Sequence, residues 1–411
     1  MTGDRHRGAR LPGSPLAEVP AGSRGGRSVS ALATHDPAAT RRLAGLTWAH
    51  LLNDGAANYL PGVLPAVLAA LHEPIRIAGV LIAALTVGQA LQPVVGWVGD
   101  RIGGRSLVVA GLVCSSVGGG LLGVAHSLGL VIALLMLIGL GSALFHPQAL
   151  AGVRSVLRGR RALLTSVFLV GGELGRGVWP TAASLVATNL GLAYLWIIAL
   201  PGLATAALLV RWAPDLPRQP RAGAVIAWKE HGRPLAMLIA YQGIRALALF
   251  GLATFIPLMW HVRGGTLVAG ASIITTMTLV GVVGNLGGGH VTDRLGRRFV
   301  LVASALATAG LVPTVAYLHG AVVWLVSGLL GVALFLSAST TVLIGQDIFP
   351  ENRSMGSGVA LGLANGIGAV LVLLSGLLVS ERDVVTVFWL LSGLSLVSTI
   401  PALSLPRLLT R

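Results

Sequence analysis

Of the 411 residues, 54% are hydrophobic and only 10% are charged, whereas soluble globular domains carry roughly 25% charged residues. The chain therefore falls far outside the soluble class, and its single cysteine, Cys114, excludes a disulfide framework and a multi-cysteine zinc site. The net charge of +15 would suggest nucleic acid, but the basic residues fall in short stretches between apolar runs, where cations orient a membrane protein instead.

Residues 1–42 are rich in Gly, Pro, Ser, Ala and Arg and contain no signal-peptide core. They are expected to form a disordered, basic cytoplasmic tail. A bilayer-crossing helix needs about 20 mostly apolar residues. Segments of that kind follow at 44–71, 77–98, 106–125, 128–150, 162–188 and 190–212, then at 234–260, 267–290, 299–318, 321–347, 355–380 and 384–405. The fold class expected is all-α and polytopic, with 12 transmembrane helices. The polar stretch 213–233 divides them into an N-terminal bundle, 43–212, and a C-terminal bundle, 234–405, joined by a cytoplasmic central loop; residues 406–411 end the chain as a second tail. Of 29 basic residues, 24 lie in the tails and on one side of the spans, while the opposite loops hold only Arg76, Arg263 and Arg382. The positive-inside rule then places both termini in the cytoplasm of a cell-membrane protein, as an even number of spans also requires.

A repeat supports the division into halves. GWVGDRIGGRSLV follows the second span, with Gly96, Asp100, Arg101, Gly103 and Arg105; GHVTDRLGRRFVL follows the eighth, with Asp293, Arg294, Gly296, Arg297 and Arg298. Two copies of G-x-V-x-D-R-x-G-x-R at equivalent places point to a duplicated six-helix unit. Glycine permits a tight turn, and the Asp can accept bonds from helix N-terminal amides.

On these residues the chain resembles the major facilitator superfamily over 43–405. Its loop signature is G-x-x-x-D-R-x-G-R-[RK], from which Gly104 departs. The resemblance implies two bundles rocking about a central cavity, with Asp100, Arg101, Arg105, Asp293 and Arg294 latching the cytoplasmic side of the outward-facing state. A narrower resemblance rests on WAHLLNDGAANYLPGVLPAVL in the first span, with His50, Asn53, Asp54, Pro61 and Pro65, and on GSALFHPQALAGV in the fourth, with Phe145, His146, Pro147 and Gln148. This is similar to the fosmidomycin-resistance branch, although Gln148 stands where that branch has an acid. The branch implies efflux of small drugs or metabolites in exchange for protons.

Ionisable groups at bilayer depth cost at least about 2.5–3.5 kcal/mol each on insertion scales and call for an explanation. Asp54, Glu173, Arg176 and Arg245 all lie near mid-membrane, on three spans that run outward. Asp54 is a candidate proton carrier, because burial disfavours a charged carboxylate and a nearby guanidinium favours it; a permanent ion pair is the alternative. Glu173 and Arg176 share a helix face three residues apart and can pair, either as a structural lock or with Glu173 taking protons and Arg176 an anion. No acid shares the seventh span with Arg245, so it pairs across helices, faces a wet cavity or holds an anionic substrate. His146 is a second proton-relay candidate, with a hydrogen-bonding packing role as the alternative. His50, Asn53, Tyr241, Gln242 and Asn365 complete the candidate cavity. His290 is read as structural, with Asp293 as its partner, and Asp347 and Glu351 as gate residues paired with Arg353.

The only lysine, Lys229, follows Trp228, so a Walker A loop and a built-in ATP-driven pump are excluded. No cofactor, metal, enzyme activity or nucleic-acid partner is expected. The sequence favours proton-coupled efflux of a small compound by a monomer in the lipid bilayer. The alternatives are proton-coupled uptake and, as a separate class, a membrane receptor that does not transport.

Overall fold

The computed structural model describes residues 37–92, 94, 95, 98, 104–156, 161–212, 228–350, 356, 359–380 and 383–410. Residues 1–36, most of the central loop, and Gly96, Asp100, Arg101, Gly103, Glu351 and Arg353 of the sequence expectations lie outside this set. Among the described residues there is no strand.

The helices are α1 (Pro37–Asn58), α2 (Leu60–Ala70), α3 (Ala78–Gln89), α4 (Arg105–Leu121), α5 (Leu128–Val156), α6 (Arg161–Asn189) and α7 (Trp196–Trp212) in the first half. The second half has α8 (Trp228–Val262), α9 (Leu267–Leu295), α10 (Arg297–Tyr317), α11 (Val322–Leu336), α12 (Ala338–Ile348), α13 (Ala364–Leu377), α14 (Val385–Val397), α15 (Thr399–Ser404) and the short α16 (Arg407–Thr410). Eight helical segments among the described residues are long and apolar enough to cross a bilayer, and shorter apolar helices run over Ile75–Gln89 and Ala364–Leu377. Hydrocarbon offers the backbone no partner, so each segment must close its own hydrogen bonds as a helix.

Three expectations are corrected. The first span begins at Pro37, so residues 37–42 are helical rather than part of a disordered tail; proline at a helix start has its φ preset and needs no N–H. That span is also interrupted at Tyr59, between α1 and α2. Pro61 lacks the N–H that would close the ladder on Ala57, and Pro65 adds a second gap. The tenth expected span divides at Ser337 into α11 and α12, with the Ser337 hydroxyl 3.1 Å from that of Ser304.

Three apolar cores organise the two halves. One is continuous across both: it joins Ala57–Leu85, Leu122–Ile138 and Leu195 of the first half to Leu247–Met277, Val312–Phe335 and Val372–Leu391 of the second. The other two are separate. Leu43–Leu52, Leu112, Phe145, Phe168 and Leu209 belong to the first half alone, and Leu235–Tyr241, Leu301, Ile344, Ala360 and Leu405 to the second alone. Among the described residues the halves thus share a core at one end, and each has its own core at the end that carries the Arg105, Arg297 and C-terminal segments. The two described side-chain hydrogen bonds that join the halves both lie toward the fused end, Thr181 to Thr275 at 2.6 Å and Thr275 to the Gly177 carbonyl at 2.7 Å. The backbones also meet there, a Cβ on Gly79 standing 2.9 Å from the Val372 carbonyl oxygen.

Candidate functional site

A polar belt sits at the level where the two separate cores give way to the shared one. On α1, Asn53 and Asp54 follow Leu52 of the first half's own core and precede Ala57 of the shared core. On α8, Gln242 and Arg245 lie between Tyr241 and Leu247 in the same way. Glu173 and Arg176 on α6 lie between Phe168 and Ala183. Charge avoids both kinds of core because neither offers it a partner.

Glycine brings α6 onto α1. A Cβ at Gly175 would stand 2.0 Å from the Leu51 carbonyl oxygen, and one at Gly172 would stand 2.5 Å from the His50 ring and 2.8 Å from Asp54 Oδ2. Backbone approach this close sets the α6 charges against Asp54. The Arg176 guanidinium donates to Asp54 Oδ2 at 2.9 Å and to both Glu173 oxygens at 3.2 and 3.3 Å. The expected Glu173–Arg176 pair is therefore present, but as part of a larger network whose centre is Asp54, 1% exposed.

Two histidines complete it. His50, one turn before Asp54, stacks on Phe168 with ring centres 4.2 Å apart and holds the Phe168 carbonyl through Nδ1 at 2.8 Å; its Nε2 is 3.5 Å from Asp54 Oδ2. His146 holds the Ser142 carbonyl through Nδ1 at 2.8 Å and places Nε2 3.0 Å from Asp54 Oδ1. A carbonyl oxygen only accepts, so each Nδ1 carries its ring's N–H. A neutral His146 then presents a bare lone pair to a carboxylate oxygen at hydrogen-bond distance, which is repulsive. The 3.0 Å contact requires one further proton, on the imidazole or on the carboxyl. Asn53 donates to Asp54 Oδ1 at 3.4 Å and accepts from the Ser115 hydroxyl at 2.9 Å.

His50, Asp54 and His146 also have the composition of a metal site, with one ligand atom from each within 4.8 Å of the others. The Arg176 guanidinium on Asp54 Oδ2 already supplies positive charge there, so the arrangement suits a proton better than a divalent ion.

The second half repeats the frame with different chemistry. Gln242 donates from Nε2 to the Ala360 carbonyl at 3.2 Å, across the same 118-residue separation as His50 and Phe168. Its Oε1 accepts from Arg245 Nε at 2.6 Å, and Arg245 NH1 donates to the Leu334 carbonyl at 3.1 Å. Among the described residues Arg245 has no carboxylate at ion-pair distance. Tyr241 is buried and donates to the Leu301 carbonyl at 3.0 Å, and Asn365 is half-buried at belt level.

Of the second loop motif, Asp293 and Arg294 are exposed at the end of α9, and Gly296 takes φ 83°, a left-handed turn that favours glycine. Arg297 donates to Asp347 at 2.6 Å and to the Leu409 carbonyl at 3.0 Å, all within the second half. Among the described residues Asp347 pairs with Arg297, because the start of α10 meets the end of α12, a proximity that chain order conceals; the expected partner, Arg353, lies outside the described residues. His290 is exposed and has no described bond to Asp293, so its structural reading is also corrected. Arg105 donates to the Val210 carbonyl.

Sequence reasoning named the charged members but not Ser115, Ser142, Phe168, Gly172 or Gly175. The available signal was G-G-E-L-G-R at 171–176, small residues one helical turn apart beside the acid and base.

Residues 46–372 match the family model described as Major Facilitator Superfamily. An uncharacterised MFS-type transporter, YfnC, of Bacillus subtilis (strain 168) is 27% identical over 343 residues, covering 78% of this chain and 82% of that one. The fosmidomycin resistance protein of Escherichia coli (strain K12) is 26% identical over 359 residues, covering 84% and 88%. Among solved structures, the nucleoside transporter NupG superposes with a TM-score of 0.73 at 14% identity, over 89% of this chain and 98% of that one. A bacterial homologue of the human lysosomal transporter Spinster, inward-facing and unoccupied, superposes with a TM-score of 0.69 at 15% identity, over 91% and 96%.

Proposed function

We propose that this chain, which belongs to the major facilitator superfamily, is a proton-coupled secondary transporter that carries a small organic solute across the membrane by alternating access. The observation that carries this reading is the 3.0 Å contact between His146 Nε2 and Asp54 Oδ1, which holds only with a proton in it.

In the described conformation the belt is closed off on the fused side and lies at the head of the separated cores. With the Arg-rich loops assigned to the cytoplasm, this is the inward-open state. Solute enters from the cytoplasm and meets Asp54, Glu173 and Arg176 on one side and Arg245 on the other. Losing the shared proton leaves the first-half cluster with one net negative charge; regaining it restores neutrality. Each state favours a different arrangement of the halves, because an unbalanced charge is costly at this depth. The membrane potential adds about 2.3 kcal/mol per charge per 100 mV. When the cytoplasmic side closes, Asp100, Arg101, Arg105, Asp293 and Arg294 form the latch. One chain supplies the whole belt, so a monomer suffices.

Export in exchange for protons is the first reading of direction, supported by the resemblance to the fosmidomycin resistance protein. Uptake together with protons is the second, favoured by the uncompensated charge of Arg245. A receptor that binds without transporting stands as the separate class. Proteoliposomes with an imposed pH gradient separate the three. Opposed movement of proton and solute supports exchange, parallel movement supports uptake, and binding without flux supports the receptor. Solute flux with no proton movement would falsify the coupling.

A further inference from the structure

We propose that His50, Asp54 and His146 form a binding site for a divalent transition-metal ion of the zinc type. The site stands on its geometry alone; that the ion excludes the shared proton rests on the proton site proposed above.

Both imidazoles are aimed by the backbone. Nδ1 of His50 is held on the Phe168 carbonyl and Nδ1 of His146 on the Ser142 carbonyl, each at 2.8 Å, which turns both Nε2 atoms toward Asp54. Metal-bound histidines are oriented in the same way, by a hydrogen bond from the other ring nitrogen. The spacing also fits. Ligand atoms about 2.0–2.1 Å from a tetrahedral ion stand about 3.3–3.4 Å from one another. His146 Nε2 is 3.0 Å from Oδ1 of Asp54, His50 Nε2 is 3.5 Å from Oδ2, and one ligand atom from each residue falls within 4.8 Å of the others. No separation has to change by more than about 1.5 Å to seat the ion. Rotation of the carboxyl and movement of His146, 26% exposed, supply that change. His50 is fixed between Phe145 and Phe168, with ring centres 6.0 and 4.2 Å away.

The donor set selects the ion. Two imidazole nitrogens and one carboxylate suit zinc, cobalt, nickel or copper, whereas magnesium and calcium take oxygen. Among the described residues no fourth His, Cys, Asp or Glu joins the set, which leaves a coordination position for water. Arg176 is the opposing charge. It sits on Oδ2 and leaves Oδ1 to the ion, and its contacts with both Glu173 oxygens keep it paired when the Asp54 carboxyl turns. Asp54 and Glu173 at −1 each and Arg176 at +1 leave the cluster at −1 without the shared proton, and a dication takes it to +1. The proton, which brings it to zero, fits better, so the ion takes the site only when it is supplied.

The test uses the full chain in lipid nanodiscs, freed of metal by a chelator and titrated with Co²⁺, whose visible absorption reports its coordination. One equivalent is expected to bind with the strong bands of a four- or five-coordinate ion, and Zn²⁺ should displace it. X-ray absorption of the zinc-loaded wild type should show two imidazoles and ligands at about 2.0–2.1 Å, a readout that needs no variant to fold. Asp54→Asn and His146→Gln should each weaken binding about tenfold or more, because changes even to the outer shell of a metal-bound histidine cost about 10–100-fold. No saturable Co²⁺ band, fewer than two imidazoles on zinc, or an affinity unchanged in both variants overturns the site. Release of a proton to weak buffer as the ion binds supports the exclusion. Binding without proton release overturns the exclusion and counts against the proton site, while the ion site still stands or falls on the spectra and the variants.

Discussion

Replacing Asp54 with Asn removes the one group that Arg176, His146 and Asn53 all contact. Asn keeps the shape: its amide can donate to a neutral His146 Nε2, and its oxygen can accept from Arg176. What changes is charge. The ion pair with Arg176 becomes a hydrogen bond from a charged donor to a neutral oxygen, and the His146 contact becomes a neutral bond, a difference of about 1 kcal/mol each on the usual scale of such bonds. No buried charge is orphaned, because Arg176 keeps Glu173 at 3.2 Å, so the loss stays below the roughly 3–5 kcal/mol of a broken buried pair. The expected destabilisation is about 2 kcal/mol, small enough for a folded protein to be purified. The functional effect is larger. The variant is fixed in the charge state of the proton-loaded belt, so it should exchange labelled for unlabelled solute at equilibrium yet fail to concentrate solute on a pH gradient. Counterflow and gradient-driven accumulation in the same proteoliposomes measure both. Gradient-driven accumulation by the Asn variant would refute the reasoning.

Gly172→Ala should disturb the cluster as strongly as removing a charge, because the new methyl meets the His50 ring and Asp54 Oδ2 at 2.5 and 2.8 Å. Overpacking costs about 1–3 kcal/mol, and coupled transport should fall further than thermal stability; normal coupling would show that the close approach does not position the site. Gly79→Leu should wedge the seal between α3 and α13 and shift the protein toward the outward-open state. Membrane-impermeant thiol labelling of a cysteine introduced at belt level, in a background lacking Cys114, should rise, and unchanged labelling would contradict the placement of the seal. Asp347→Ala removes a partly exposed pair with Arg297. It should change stability by no more than about 1 kcal/mol, and a large drop in denaturant midpoint would show the pair to be structural.

The all-helical, membrane-spanning character was legible because length and hydropathy are local properties of the chain. Asp54, His146, Glu173, Arg176 and Arg245 stood out for an equally local reason, charge inside apolar runs. The helix break at Tyr59 was signalled by Pro61 and Pro65 but not located, since prolines in membrane helices are often tolerated. What stayed hidden depends on which helices touch. The partner of Asp347 is Arg297, 50 residues away, and no periodicity within either segment encodes that proximity. The state of the His146–Asp54 contact turned on the Ser142 carbonyl, a backbone atom present at every position and distinguished here only by geometry.

The central claim is that one proton resides between His146 Nε2 and Asp54. The most direct measurement is nitrogen NMR of the protein carrying ¹⁵N-labelled histidine in lipid, with His146 assigned by substitution and followed through a pH titration. The account predicts Nδ1 protonated throughout, with Nε2 engaged in a proton-bearing hydrogen bond that is lost in a single step in the wild type and has no such step in Asp54→Asn. A His146 ring with bare Nδ1 at every pH, or a titration indifferent to Asp54→Asn, would contradict it.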